Sequence, residues 1–166
     1  MDKLIFLDID GVLNHHAYYN DICQDDRYEM IGHPMCDIDT KAVMLLNELI
    51  AKTGAKVVIS STWRLGRSLF YLKHLLGNAG FIGDIISVTP RLYCEEAKAS
   101  IPRGFEIQVW LKDNGYYWRD DYQYIILDDD GDMLMHQQQY FVYVDNCVGL
   151  TANTIYRAAN KLNGVH

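Results

Sequence analysis

Two short stretches carry most of the reactive chemistry in this chain: Leu4-Ile5-Phe6-Leu7-Asp8-Ile9-Asp10-Gly11-Val12, and much later Tyr124-Ile125-Ile126-Leu127-Asp128-Asp129. In each, an apolar run stops abruptly in adjacent or alternate carboxylates, as a buried parallel strand does when its carboxyl end opens into a site. Crowded carboxylates repel one another and lose hydration, so two such clusters brought together need a bound cation to stay ionised. Oxygen ligands with retained waters suit Mg²⁺. The expectation is a Mg²⁺ site built from Asp8, Asp10, Asp128 and Asp129, with chemistry on phosphate. A calcium loop of EF-hand type fits poorly, because it needs alternating ligands in a polar loop closed by Glu. Taken alone, Asp128-Asp129-Asp130-Gly131-Asp132 reads equally as a solvated acidic turn.

The elements that must position these residues alternate along the chain. Val43, Leu46 and Ile50 share one helical face, widened by Ala42, Leu45 and Leu49, with Asp39 as N-cap and Gly54 as stop. Residues 56–60 follow as a β-branched run ending in Ser60. A second helix carries Leu69, Leu72 and Leu76 and closes near Gly80, before a strand at 85–88. A third begins around Pro102, with Ile107, Trp110 and Leu111 inward, and stops at Gly115. Strands at 123–127 and 141–144 come next, then a helix capped by Thr151 with Ile155, Ala158, Ala159 and Leu162 as its packing stripe. This alternation implies an α/β fold whose parallel sheet is covered on both faces, with ligands outside the carboxyl ends of the strands. Asp8, Asp10, Ser60, Asp128 and Asp129 all fall at such ends.

The stretch 14–37 breaks the pattern and is expected to form a flap or small cap. Within it, His15, His16 and His33 read as surface residues, and Tyr18, Tyr19 and Tyr28 as aromatics packing the flap against its domain. Trp63 and Trp110 are expected in the core. Asp145 either faces the site or caps the loop that follows it.

At 166 residues and 49% apolar content, the chain is expected to fold as one domain. Its four cysteines, Cys23, Cys36, Cys94 and Cys147, are scattered and read as reduced and mostly buried. No run is long enough to span a bilayer and no leader pattern precedes Asp8, so a soluble cytoplasmic protein is expected. A net charge of −7 argues against indiscriminate binding to a nucleic-acid backbone, while leaving room for a strand end. No obligate protein partner is evident.

The run from Phe6 to Asn14 resembles motif I of the haloacid dehalogenase (HAD) superfamily, Asp-x-Asp-Gly-(Thr/Val). Val57-Val58-Ile59-Ser60 resembles its motif II, and Ile125-Ile126-Leu127-Asp128-Asp129 its acidic motif IV. More narrowly, the chain resembles a small HAD subgroup associated with RNA-repair proteins. That likeness rests on Ser60-Ser61-Thr62-Trp63-Arg64, Thr89-Pro90, Arg103-Gly104-Phe105-Glu106-Ile107 with Trp110-Leu111, and Gly149-Leu150-Thr151. The resemblance implies a Rossmann-like three-layer fold with a small cap, and a phosphatase.

The residues suit that chemistry. A carboxylate such as Asp8 attacks a phosphoryl group to give an acyl phosphate, splitting one hard hydrolysis into two easier steps. A second carboxylate two residues on, Asp10, protonates the leaving oxygen and then deprotonates the attacking water, and its backbone carbonyl is a further expected metal ligand. Gly11 lets the chain turn sharply enough to bring Asp10 over the site. Ser60 is the expected phosphate donor, with Ser61 or Thr62 as alternatives. The resemblance also implies a basic motif III residue. Arg103 is the choice for it, with Lys98 and Lys112 as competitors, and Arg64 is a candidate second phosphate clamp. The expected activity is Mg²⁺-dependent hydrolysis of a phosphomonoester, on a phosphorylated small molecule such as a nucleotide or on a nucleic-acid phosphate end. A phosphotransferase would use the same residues, and a non-catalytic phosphate-binding domain is the competing class.

Overall fold

The protein is described from a computed structural model that covers residues 1–23, 38–96 and 98–164, with side chains for all but residues 22 and 23. The elements in order are β1 (Asp2–Leu7), α1 (His16–Cys23), α2 (Thr40–Thr53), β2 (Lys56–Ile59), α3 (Leu69–Asn78), β3 (Ile85–Val88), β4 (Tyr93–Cys94) and β5 (Ala99–Ser100). Then come α4 (Arg103–Asp113), β6 (Tyr122–Asp128), β7 (Phe141–Tyr143) and α5 (Ala152–Leu162), with single 3₁₀ turns at Thr62–Arg64 and Met135–Gln137.

β1 is buried on both faces because its alternate residues enter different cores. Ile5 and Leu7 meet the apolar faces of α2, α3 and α5, through residues such as Leu46, Leu72 and Ile155. Leu4 and Phe6 meet Ile107, Trp110 and Leu111 of α4 on the other side. There the Phe6 ring takes edge contacts from Trp110 and Tyr124, at 5.4 and 5.7 Å between centroids. Such pairs contribute about 0.5–1.5 kcal/mol each beyond their burial. The result is three layers: helices, a five-stranded parallel sheet in the order β3-β2-β1-β6-β7, and helix. The order reverses at β1, which has β2 on one side and β6 on the other. In sheets of this type that reversal opens a crevice at the carboxyl ends.

The expected helix ends hold. The Asp39 carboxylate accepts from Lys41 N–H at 2.8 Å, Thr151 Oγ1 accepts from Thr154 N–H at 3.1 Å, and Gly54 closes α2 at φ 67°. Helix α4 starts at Arg103, directly after Pro102. Two elements went unread in the sequence: the β4–β5 hairpin, too short for any periodicity, and helix α1.

Helix α1 occupies the start of the segment expected as a flap; the remainder, with Tyr28, His33 and Cys36, lies outside the described residues. Asp39 N–H donates to Leu13 C=O at 2.7 Å, joining the residues on either side of that segment. Cys94 and Cys147 are free thiols and neither is buried: Cys94 is half-buried and Cys147 exposed, where buried cysteines were expected.

Candidate active site

The register of β1 and β6 brings the two acidic ends together. Leu7 pairs with Leu127, so the next residues, Asp8 and Asp128, emerge side by side at the switch point. Asp8 is 5% exposed and Asp128 fully buried. Asp8 N–H donates to Leu127 C=O at 2.9 Å, and Asp8 Oδ1 accepts from Ile9 N–H at 2.7 Å.

Past Asp8 the chain folds around one carbonyl. Ile9 C=O accepts from the N–H groups of Val12, Leu13 and Asn14, at 3.2, 2.8 and 3.3 Å. Gly11 makes this turn at φ 72°, and a Cβ built there would lie 2.4 Å from the Asp129 Cγ. Glycine is therefore required twice, for the left-handed backbone and for the close approach of Asp129. The turn is locked by buried Asn14, whose Oδ1 accepts from Gly11 N–H at 3.0 Å and whose Nδ2 donates to Asp10 Oδ1 at 2.9 Å.

Among the described residues, Asp8, Asp128 and Asp129 form a three-carboxylate cluster, offering oxygens within 4.8 Å of one another. Asp129 is held by Asn146, whose Nδ2 donates to Oδ2 at 3.3 Å. The cluster fits a hard cation. Asp8 and Asp128 are buried carboxylates with the Arg103 guanidinium between them, so the three-carboxylate cluster keeps a negative excess that a cation would offset. The Asp10 carboxylate lies outside this cluster.

Arg103 supplies the positive charge within the site. Its Nη1 is 3.0 Å from Asp8 Oδ2 and 3.1 Å from Asp128 Oδ2, and it also donates to Ser60 C=O. It enters from the first residue of α4, anchored where its backbone N–H donates to Asp132 Oδ2 at 2.8 Å. Burial opposes the Arg103 charge, but Asp8 and Asp128 outweigh it and hold its pKa above the ordinary value. Burial also raises the Asp8 carboxyl, against the pull of Arg103 and of hydrogen bonds from Ser61 and Ile9. Burial and the neighbouring Asp8 push Asp128 up to about 8. Without a bound cation, the pair favours keeping a proton.

Ser60 and Ser61 follow β2 and are both fully buried. The Ser60 hydroxyl makes no hydrogen bond, whereas Ser61 caps the 3₁₀ turn, its Oγ accepting from Trp63 N–H at 3.3 Å, and lies close enough to Asp8 to favour its charged form.

Arg64 is placed differently from the phosphate clamp expected of it. Its guanidinium donates to the carbonyls of Thr89 at 2.9 Å, Ser61 at 2.6 Å and Pro90 at 3.1 Å, and pairs with the Glu106 carboxylate in a buried ion pair. With four of its five N–H donors committed, it ties the 3₁₀ turn and the Thr89-Pro90 segment to α4. Lys98, a competitor for the basic role, sits in the β4–β5 turn at φ 49°, and Lys112 is an exposed residue in the last turn of α4. Neither forms an ion pair with Asp8 or Asp128, both of which Arg103 touches.

Trp110 takes its expected core position, 4% exposed. Trp63 does not. It is half-buried, and its Nε1–H donates to both oxygens of Asp10, each at 2.9 Å. Trp63, Asn14 and Asn146 are the site residues that sequence reasoning missed. Asn14 ends the motif I run, but nothing in its residue type announces a partner. Asp145 proves to be a loop cap, its Oδ1 accepting from Cys147 N–H at 2.9 Å.

A cleft of about 170 Å³ opens above this machinery, lined by Asp10, Gly11, Asn14, His15, His16, Tyr19, Asp129 and Asn146. Helix α1 forms one wall. The His16 and Ala17 N–H groups at its start donate to the carbonyls of Asn146 and Cys147, both at 3.0 Å. His15 faces inward, 3.1 Å from Asp39 Oδ2.

The family model described as HAD domain in Swiss Army Knife RNA repair proteins matches residues 4–155, nearly the whole chain. No curated protein and no solved structure matches it. Among the described residues, no helix is long and apolar enough to cross a membrane.

Proposed function

The chain belongs to this HAD family, and from that premise we propose that it is a Mg²⁺-dependent phosphohydrolase that cleaves phosphomonoesters through an aspartyl phosphate on Asp8. The observation that carries this reading is the meeting, at the sheet's switch point, of buried Asp8 and Asp128 with Asp129 in reach and the Arg103 guanidinium against the first two.

In this reading Asp8 attacks phosphorus, and the ester P–O bond breaks as the leaving oxygen takes a proton from Asp10. Asp10, now a carboxylate, takes a proton from the water that attacks the intermediate. Inorganic phosphate leaves and Asp8 is regenerated. Arg103 and Ser61, the donors already beside Asp8, hold the non-bridging phosphoryl oxygens, and the uncommitted hydroxyl of Ser60 is a third donor. Mg²⁺, held by Asp8, Asp128 and Asp129 with the Asp10 carbonyl, would screen the anionic nucleophile from the anionic phosphate. Residues 14–37, of which α1 walls the cleft, act as the small cap.

The family description supports a nucleic-acid phosphate end as substrate. The net charge of −7 favours a nucleotide or another small phosphomonoester. Phosphate release is therefore to be measured from nucleotides, sugar phosphates and 3′- or 5′-phosphorylated oligonucleotides, with Mg²⁺ or with EDTA. The expected result is turnover that requires the metal and is lost in Asp8→Asn, which removes the nucleophile but little volume. Folded, Mg²⁺-saturated wild type that releases no phosphate from any of them would refute hydrolysis and move weight to phosphotransfer or to binding alone.

A further inference from the structure

Asp10 is exposed at the mouth of the cleft, where a carboxylate ordinarily samples several rotamers. Here it is restrained from two loops. Trp63 Nε1–H reaches both of its oxygens at 2.9 Å, and Asn14 Nδ2 reaches Oδ1 at 2.9 Å. The N–H shared between the two carboxylate oxygens fixes the direction in which the group points, and the Asn14 donor on Oδ1 fixes its rotation about that direction.

The donor is itself held firmly. Trp63 lies in the 3₁₀ turn capped by Ser61, packs against the main core, and carries the Arg67 guanidinium 5.3 Å above its ring centroid. Arg67 also donates to Trp63 C=O at 3.3 Å. The loop after β2 thus reaches Asp10 through Trp63, with Ser61 of the same turn beside Asp8.

We propose that Trp63 is the positioning residue for Asp10, holding its carboxylate in the one orientation from which it delivers a proton to the leaving oxygen. The inference rests on the phosphohydrolase reading. The reaction itself is unchanged: the Asp10 proton goes to the oxygen released when the ester P–O bond breaks. Trp63 exchanges no proton.

The test is Trp63→Phe, which keeps an aromatic ring beneath Arg67 and deletes the N–H. Because kcat/KM reports the steps up to formation of the phosphoenzyme, it is measured for phosphate esters from p-nitrophenyl phosphate to simple alkyl phosphates. Basic alkoxides need the proton most. The loss in the variant should therefore grow along the series, reaching about tenfold more for an alkyl ester than for the p-nitrophenyl ester, a fraction of the roughly 10²–10⁴-fold that general acid–base catalysis contributes. An equal loss for every ester would mean that Trp63 only supports the fold, and would overturn the proposal.

A second readout needs no turnover. The Trp63 indole N–H resonance, identified by its disappearance in Trp63→Phe, should shift when Asp10→Asn changes its acceptor; a stationary resonance would also overturn the proposal. Wild type inert toward the whole series, with the resonance responding as expected, would instead refute the phosphohydrolase reading, and with it the role given to Asp10.

Discussion

At the scale of single residues, the site is a problem in charge. Asp8 and Asp128 are packed together out of water, and Arg103 is the cation that touches both. The Asp128 carboxyl, ordinarily at 3.8, is pushed up to about 8, first by burial and then by Asp8. A raised folded-state pKa means that the native protein holds this proton more tightly than the unfolded chain does. The stability this contributes is complete below about pH 4 and is lost as pH rises through about 8. The metal-free protein should therefore melt at progressively lower temperature across that window, and Asp128→Asn, which cannot ionise, should flatten the decline. Thermal unfolding in EDTA at a series of pH values checks both. Mg²⁺ competes with the same proton, so its stabilising effect should grow toward the alkaline end.

At the scale of elements, helix α4 and the loop after β2 act as a unit. The first turn of α4 carries Arg103 into the site and, three residues later, Glu106 to Arg64. Glu106 also accepts Leu92 N–H at 2.9 Å, so one carboxylate joins α4 to both the 3₁₀ turn and the segment after β3. Gly104 between them allows the close packing. A Cβ there would lie 2.5 Å from Gln137 Oε1 and 2.6 Å from the Leu134 nitrogen. The Arg64–Glu106 pair is nearly inaccessible to solvent, and removing one partner of such a pair leaves an uncompensated buried charge. Glu106→Gln is expected to cost about 3 kcal/mol of unfolding free energy by urea denaturation. It should also lower activity, since Arg64 holds the turn that presents Ser61 and Trp63.

At the scale of the whole molecule, the site is a property of the assembled sheet. Asp8 and Asp128 are 120 residues apart and become neighbours only when β6 docks beside β1 in the register that pairs Leu7 with Leu127. The unfolded chain has no such cluster, so Mg²⁺ should bind the native state selectively and raise its stability by mass action. The expected gain is about 2.7 kcal/mol at about a hundredfold excess over Kd, reversed by EDTA and lost in Asp128→Asn. Thermal unfolding across a Mg²⁺ titration measures it.

How much was legible beforehand follows from what each residue answers to. Buried parallel strands are apolar on both faces, so the runs before Asp8 and Asp128 announced their strands, and their abrupt acidic ends announced a site. The alternation of helical and extended periods then fixed the layered α/β architecture, because each apolar stripe has to be covered. Those are local patterns, written in consecutive residues. The tertiary structure alone decided which guanidinium reaches the carboxylates and which is spent on carbonyls: Arg103 and Arg64 are chemically identical, and only the docking of α4 against the loop after β2 separates them. It likewise took Trp63 from a nominal core residue to the partner of Asp10, and gave Asn146 its hold on Asp129, since each of those hydrogen bonds joins groups on chain segments that meet only once the sheet is assembled, whereas Asn14 closes the turn of its own loop.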